Sequence, residues 1–130
     1  MSSANETVIR DIYAAFARGD IPAFLALCGP GFTLDVPGNG MLSGKQSLDT
    51  FMARLGPAME VIRGTFREEP ISIVANGDQV AALMAQQAER DGVQYHWRTV
   101  QWWRVADGKA AEFIELVDDH AAFEAVWRKP

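Results

Sequence analysis

The segment WWRVADGKAAEFIELVDD, residues 102–119, decides the fold because it contains a complete β-hairpin pattern. Asp107-Gly108 is a typical hairpin turn, and β-rich runs flank it on both sides. After the turn, successive side chains point to opposite faces of the predicted strand, so Glu115 and Glu112 lie on different faces. Each face is otherwise apolar. A buried carboxylate is costly unless it is paired or used, so the partners of these two glutamates indicate which face is inside.

Two further turn patterns extend this hairpin into a predicted antiparallel meander of four strands. Asn76-Gly77-Asp78 and Asp91-Gly92 separate β-rich runs in the same way as Asp107-Gly108, beginning after about residue 64. Asp118 or Asp119 is expected to begin a short terminal helix with the sequence HAAFEAVW.

The residues before the meander predict three helices and one short strand. In NETVIRDIYAAFARGD, residues 5–20, apolar residues recur at helical spacing, with Asn5 as the expected N-cap. Asp20 is expected to cap a second helix, and Ser43 a third that ends at Gly56-Pro57. The short strand is FTLDVPG. Helices first and an antiparallel sheet afterwards predict an α+β domain in which helices cover one face of the sheet.

Composition limits the organisation and the partners of the chain. With 130 residues and 48% hydrophobic content, residues 1–130 are expected to form a single domain. A net charge of -5 without basic blocks argues against nucleic acid as a partner. The sequence has no apolar run long enough for a membrane span and no signal-peptide pattern at its N-terminus, so we expect a cytoplasmic protein that binds no membrane. The single Cys28 is expected in the core, and the spacing of the histidines and carboxylates predicts no metal site and no cofactor.

The order of these elements resembles the SnoaL-like branch of the nuclear-transport-factor-2-like superfamily. The resemblance rests on IYAAFARGDIPAFLALC leading to FTLDVPG and LSGK, and on WWRVADGKAAEFIELVDD, and it covers nearly the whole chain. It implies a cone-shaped, curved antiparallel sheet with helices packed on its concave face, a cystatin-like α+β barrel. A ligand pocket on the concave side and a homodimer are also implied. The superfamily includes ketosteroid isomerases, polyketide cyclases and epoxide hydrolases beside members that only bind or scaffold, so the fold leaves the function open.

The resemblance can be tested at the positions where these enzymes carry their catalytic residues. Ketosteroid isomerases would need an Asp at Val36, a Tyr at Ile12 and an Asp at Gln101, and all three are replaced. In the SnoaL-type cyclases the acid/base is an Asp that corresponds to Glu115, facing a His that corresponds to Gln101. The carboxylate is kept and the His is not. General acid or base chemistry therefore stays open, and steroid isomerisation is disfavoured.

The hairpin register indicates which glutamate lies inside. With DGK as a three-residue loop, Val105 faces Ala111, Arg104 lies opposite Glu112, and Gln101 lies opposite Glu115. Glu112 thus has a cation and Glu115 only a neutral amide. Glu115 shares its face with a largely apolar and aromatic set of side chains: Trp97, Thr99, Gln101, Trp103, Phe113 and Val117. Alternation along the preceding strand predicts three more residues on this face: Leu83, Ala85 and Gln87.

Two interpretations of Glu115 remain open. Desolvation without a cation raises a carboxyl pKa toward the range in which the group can accept or donate a proton near neutrality. Alternatively, Glu115 is a pocket carboxylate that only bonds to Gln101 and water. The first predicts a cofactor-independent cyclase or isomerase acting on a mostly apolar carbonyl compound, such as a cyclic one, with Glu115 and Gln101 as catalytic residues. The second predicts a non-catalytic binding or accessory module. Epoxide hydrolysis would need a second carboxylate, and the cavity face has only Glu115.

The residues expected to contact a small-molecule ligand are Tyr13, Val36, Leu83, Gln87, Trp97, Thr99, Trp103, Phe113 and Val117. For Trp97 and Trp103, simple packing is the alternative to stacking on a flat ligand. The opposite sheet face carries His96, Val100, Trp102, Ile114 and Leu116. A patch of that size is unusual on a monomer, and it predicts a homodimer related by a two-fold axis.

Overall fold

The computed structural model describes residues 3–130, which form four helices and six strands. The helices are α1 (Ala4–Ala17), α2 (Ile21–Ala26), α3 (Leu48–Val61) and α4 (His120–Trp127). The strands are β1 (Cys28–Val36), β2 (Gly44–Ser47), β3 (Arg67–Asn76), β4 (Gln79–Arg90), β5 (Val93–Ala106) and β6 (Lys109–Val117). No helix in this part of the chain is long and apolar enough to cross a membrane.

The strands form one curved, open sheet in the order β2-β1-β6-β5-β4-β3. The predicted meander is confirmed, since β3 to β6 pair antiparallel in chain order. β1 lies beside β6 and runs parallel to it, and β2 pairs with β1 at the edge. The parallel pairing of β1 with β6 was not predicted, because local sequence patterns do not indicate which strand about eighty residues away will pair with β1.

The concave face of the sheet carries the core, as the predicted fold class requires. Along β5, Trp97, Thr99 and Trp103 are at most 4% exposed, whereas the alternate residues Arg98 and Val100 are exposed. Helices α1 and α4 contribute apolar side chains to the same core: Ile9, Ile12, Phe123 and Val126. The α+β class with helices on the concave face is therefore confirmed.

Several helix boundaries differ from the prediction. Ser3, rather than Asn5, caps α1 by accepting a hydrogen bond from the Glu6 amide. Ser47 caps α3 in the same way, because residues 44–47 first form the edge strand β2. Pro57 lies inside α3 instead of ending it. Asp20 and Asp119 cap α2 and α4 as predicted.

The β5–β6 hairpin reaches the predicted register by a different route. Asp107 and Gly108 form a two-residue turn with φ of 52° and 75°, so Val105 pairs with Ala110 rather than with Ala111. A bulge at Ala111 then shifts the register by one residue. As a result Arg104 pairs with Glu112 and Gln101 pairs with Glu115, as predicted.

The predicted face of Leu83, Ala85 and Gln87 is wrong. The two-residue turn between β4 and β5 pairs Arg90 with Val93, so Leu83 lies opposite Val100 and Gln87 opposite His96. Leu83 and Gln87 therefore point to the outer, convex face. Their even-numbered neighbours, among them Ala82, Met84 and Gln86, are buried on the concave face instead. The prediction assumed that odd-numbered residues share one face in both strands. Across a two-residue turn, however, odd-numbered residues of β4 pair with even-numbered residues of β5 and share their face.

Candidate active site

A cavity of about 100 Å³ lies between the concave face of the sheet and the helices. Most of its lining is apolar, and the apolar side chains come from α1, α2, α3, α4, β1, β5 and β6, including Phe24, Leu34, Phe51, Leu55 and Phe123. Its polar lining is confined to a small group of side chains: Tyr13, Glu68, Gln86, Gln101 and Glu115. Among the described lining residues there is no lysine, arginine or histidine. The carboxylates in this cavity thus lack a cationic partner on its walls.

Glu115 is held by a chain of hydrogen bonds that runs from α1 to β6. Trp103 Nε1 donates to the Tyr13 hydroxyl over 2.8 Å. The Tyr13 hydroxyl donates to Gln101 Oε1 over 2.7 Å, and Gln101 Nε2 donates to Glu115 Oε2 over 2.7 Å. Because the Tyr13 proton goes to the amide oxygen, the amide nitrogen must face Glu115. Gln101 can therefore act only as a donor toward this carboxylate.

Burial alters the proton affinity of Glu115 and Tyr13. Glu115 is 8% exposed, and desolvation raises its pKa from 4.5 to about 7, aided by the charge of Glu68 and opposed by the hydrogen bond from Gln101. Desolvation also raises the pKa of Tyr13, so its hydroxyl stays protonated at neutral pH. Glu115 can thus exchange a proton near neutrality without a large penalty.

A second carboxylate, Glu68 on β3, lies on the same cavity and was missed from the sequence. Gln86 Nε2 donates to Glu68 Oε1 over 2.9 Å, and Trp97 Nε1 donates to Gln86 Oε1 over 2.7 Å. Desolvation raises the pKa of Glu68, while hydrogen bonds from Gln86 and Gln101 lower it. The prediction that Glu115 is the only carboxylate on the cavity face is therefore wrong.

A bulge in β3 decides which of two adjacent glutamates faces the cavity. From Asn76 to Ser72 the strand pairs with β4 in one register, and from Pro70 to Arg67 it pairs one residue further along, so that Ile71 is the extra residue. Glu68 consequently lies opposite Gln86, whereas an unbroken ladder would have put Glu69 there. Pro70 within a predicted strand was the available signal, since proline in a sheet marks an edge or a bulge.

The structure brings most of the predicted site residues to the concave face. Six of them line the cavity: Tyr13, Val36, Gln101, Trp103, Phe113 and Glu115. Trp97 and Thr99 are buried on the same face but do not line the cavity, and Trp97 packs edge-on against Phe123. Val117 packs against the core at the end of β6. Leu83 and Gln87 lie on the convex face. Glu112, outside the cavity as predicted, contacts Arg104 over 3.4 Å.

An outer groove of about 780 Å³ adjoins the cavity between α1 and β3. The two spaces share five lining residues: Tyr13, Phe16, Met59, Phe66 and Glu68. The groove also carries three arginines, Arg10, Arg18 and Arg67. Arg10 pairs with Glu6 and Arg18 with Asp20. Ligand pockets are usually larger than 300 Å³, so the inner cavity reaches the size of a ligand pocket only together with this groove.

Comparison with known proteins identifies the family to which this arrangement belongs. The sequence model of the SnoaL-like domain matches residues 9–113. The chain belongs to the SnoaL-like domain family. As a family, SnoaL-like domains include small-molecule enzymes. The uncharacterized protein Rv0034 of Mycobacterium tuberculosis (strain H37Rv) is 31% identical over 126 residues, covering 95% of this chain and 96% of the relative.

Two solved structures have the same fold as this chain. A Xanthomonas campestris protein of unknown function, described as having a cystatin-like fold, matches with a TM-score of 0.86 and 26% identity over 96% of this chain and 98% of that chain. TerC, co-crystallized with polyporic acid, matches with a TM-score of 0.81 and 25% identity over 95% of this chain and 98% of that chain. The predicted cystatin-like fold and the predicted family are therefore confirmed.

Proposed function

We propose that this SnoaL-like protein is a small-molecule enzyme in which Glu115 performs general acid/base chemistry on a mostly apolar carbonyl compound. The observation that carries the proposal is a buried carboxylate whose pKa is about 7, held by an oriented amide and facing an apolar cavity. A group with that pKa is divided between its two protonation states at neutral pH, which favours proton transfer in either direction. A cyclase or isomerase reaction of this kind needs no cofactor.

The proposed proton transfer takes place between Glu115 and a carbon next to the substrate carbonyl. Glu115, in its ionised form, accepts the proton from carbon, and negative charge develops on the carbonyl oxygen. Gln101 Nε2 stabilises the charged form of Glu115 before the transfer. This hydrogen bond opposes the effect of burial on the pKa of Glu115 and so keeps the ionised base available near neutral pH, and it holds the carboxylate in place. Tyr13 acts by holding the amide in that orientation.

The shape of the site supports a substrate with an apolar reacting end and a polar far end. The rings of Trp103 and Phe113 suit a flat or cyclic group in the cavity, with Tyr13 and Val36 beside it. The three arginines of the outer groove suit an acidic group at the other end. The crystallised ligand of the related TerC is likewise an acid. Trp97, Thr99 and Val117 support the wall from beyond the lining.

The second candidate is a non-catalytic module that binds or delivers a small molecule. It is favoured by the mostly apolar lining and by the hydrogen bond that already satisfies Glu115. Epoxide hydrolysis is less favoured: Glu68 supplies a second carboxylate, but no arginine is among the described residues that line the inner cavity. We further propose that the protein forms a homodimer through its convex face.

Replacement of Glu115 by Gln tests the catalytic role. The change keeps the size of the side chain and its ability to accept from Gln101, so binding should persist while turnover of a cyclic ketone or polyketide-like compound falls on the order of a hundredfold. Glu112→Gln, on the other face of the same strand, is the matched control and should keep full activity. Unchanged turnover in Glu115→Gln would remove Glu115 from the mechanism. Binding without turnover in the parent would favour the second candidate.

A further inference from the structure

We infer that Glu68 is a second catalytic residue and that Glu68 and Glu115 work as a pair holding one proton between them. The inference rests on the proposed function and narrows its substrate class to enolisable ketones. In such a reaction one carboxylate removes a proton from carbon while the partner carboxyl group delivers its proton to the carbonyl oxygen. The pair therefore supplies both the base and the acid from one site.

The two carboxylates are held by matching sets of donors. Gln101 donates to Glu115 over 2.7 Å and receives the proton of a Tyr13 hydroxyl. Gln86 donates to Glu68 over 2.9 Å and receives the indole N–H of Trp97. In both cases a buried aromatic side chain fixes the amide so that its nitrogen points to the carboxylate. The adjacent Glu69 lies opposite Ala85 and is exposed, so Glu68 is the glutamate of this pair that receives the Gln86 hydrogen bond at the cavity.

The two amides also connect the carboxylates. Gln101 lowers the pKa of Glu68 as well as that of Glu115, and Gln86 acts on both in the same way. The charge of Glu68 in turn raises the pKa of Glu115. The four side chains therefore form one cluster, in which removal of the second proton is opposed by the charge left after removal of the first.

The surroundings of the cluster supply no charge that would neutralise both carboxylates within the cavity. The described lining side chains of α3 and α4 are apolar, and β5 contributes Gln101 and Trp103. Helix α1 contributes Tyr13, which is neutral because burial raises its pKa. Glu68 also lines the outer groove, whose arginines are Arg10, Arg18 and Arg67, and two of these already pair with Glu6 and Asp20. One retained proton is the arrangement that this environment favours near neutral pH.

The proton balance of the step closes within the pair. The ionised carboxylate takes a proton as the C–H bond breaks, and the protonated partner gives its proton to the carbonyl oxygen as the O–H bond forms. The substrate becomes an enol, and the two carboxyl groups have exchanged their protonation states. In an isomerisation of a conjugated enol, the ionised carboxylate takes back the O–H proton while the protonated carboxyl group delivers its proton to a different carbon. In a cyclisation, the enol carbon attacks a second carbonyl, the ionised carboxylate takes the O–H proton, and the protonated carboxyl group delivers its proton to the new alkoxide oxygen. Neither path requires an oxidant or a reductant.

A titration tests proton sharing without any substrate. The protein is labelled with ¹³C at the glutamate carboxyl groups and titrated by NMR as the parent and as Glu68→Gln, with Glu69→Gln as the matched control on the adjacent, exposed residue. In Glu68→Gln the pKa of Glu115 should fall, because a like charge has been removed. In Glu69→Gln it should stay at the parent value. An unchanged Glu115 titration in Glu68→Gln overturns the shared proton.

A kinetic experiment tests the catalytic part with 1-tetralone, an apolar bicyclic ketone, by following deuterium incorporation next to its carbonyl in D2O. Glu68→Gln and Glu115→Gln should each lose at least about tenfold in kcat, and the double variant should be no slower than the slower single variant, because the two residues act as a unit. The parent should have a bell-shaped pH profile that loses one limb in Glu68→Gln. Full activity of Glu68→Gln would overturn the catalytic role of Glu68 and leave the proposed function of Glu115 standing. A parent that is inactive on this and other cyclic ketones would overturn both.

Discussion

The side chain of Glu115 couples the stability of the protein to pH. The ordinary pKa of a glutamate side chain is 4.5, and the pKa of Glu115 in the folded protein is about 7. The folded protein therefore binds this proton more tightly than the unfolded chain does. The stabilising contribution is therefore complete below about pH 4.5 and is lost as the pH rises through 7. Converted at 1.36 kcal/mol for each pKa unit, the effect amounts to about 3 kcal/mol. The raised pKa of Glu68 acts in the same direction.

We expect Glu115→Gln to be more stable than the parent at pH 8, by about 1–3 kcal/mol, and the difference to shrink toward pH 5. The physical reason is that the variant removes a desolvated charge at high pH and only a neutral acid at low pH. Urea unfolding of both proteins at the two pH values measures the difference. Glu112→Gln controls for loss of a carboxylate at the partly exposed position beside Arg104. A difference that is independent of pH would contradict the raised pKa.

At the scale of elements, the site depends on how helix α1 meets strand β5. Tyr13 lies about one turn before the end of α1 and reaches the sheet. Its hydroxyl both accepts from Trp103 and donates to Gln101. The tyrosine ring also packs edge-on against Trp103, with 5.9 Å between the ring centroids. A helix that carries no catalytic group thereby sets the orientation of the amide that faces Glu115.

Tyr13→Phe should keep the ring packing and remove this orientation. We expect a loss of about 1–2 kcal/mol in the free energy of unfolding, because Gln101 Oε1 and Trp103 Nε1 are left without their partner. We also expect a lower kcat with a nearly unchanged KM, since Gln101 can then rotate its amide. Tyr95→Phe, at the only other tyrosine of the sequence, is the matched control. Equal effects of the two substitutions would argue against an orienting role for Tyr13.

At the scale of the whole molecule, the convex face is the part of the surface that suits a second copy. Val100 is 39% exposed and Leu116 is 62% exposed. They pair with each other in the β5–β6 ladder, and the next pair on the same face is Trp102 with Ile114. The salt bridges of Arg98 with Asp118 and of Arg104 with Glu112 border this apolar group. Apolar residues ringed by charges are typical of an interface between protein chains.

The parent should therefore sediment as a dimer at micromolar concentration. Leu116→Glu should sediment as a monomer, because the interface would then bury an unpaired carboxylate in each copy. Leu25→Glu is the control, since Leu25 is 40% exposed on α2 and lies outside this face. Analytical ultracentrifugation of the three proteins makes the comparison. A monomeric parent, or dissociation by both substitutions, would contradict the proposed interface.

The sequence by itself determined the four helices, the strand β1, the four-stranded meander and the inward face of the β5–β6 hairpin, but not the edge strand β2. Turn residues and two-residue alternation are local properties, so the meander, the cap at Asp119 and the pairing of Gln101 with Glu115 were predictable. Tertiary structure decided the features that depend on bulges and on distant partners. The parallel pairing of β1 with β6 joins segments far apart in the chain, and the parity of β4 put Leu83 and Gln87 outside. The bulge at Ile71 turned Glu68, rather than Glu69, toward the cavity, because one extra residue exchanges the two faces of the strand beyond it. The position of that extra residue depends on the packing of the whole sheet, which no local pattern contains.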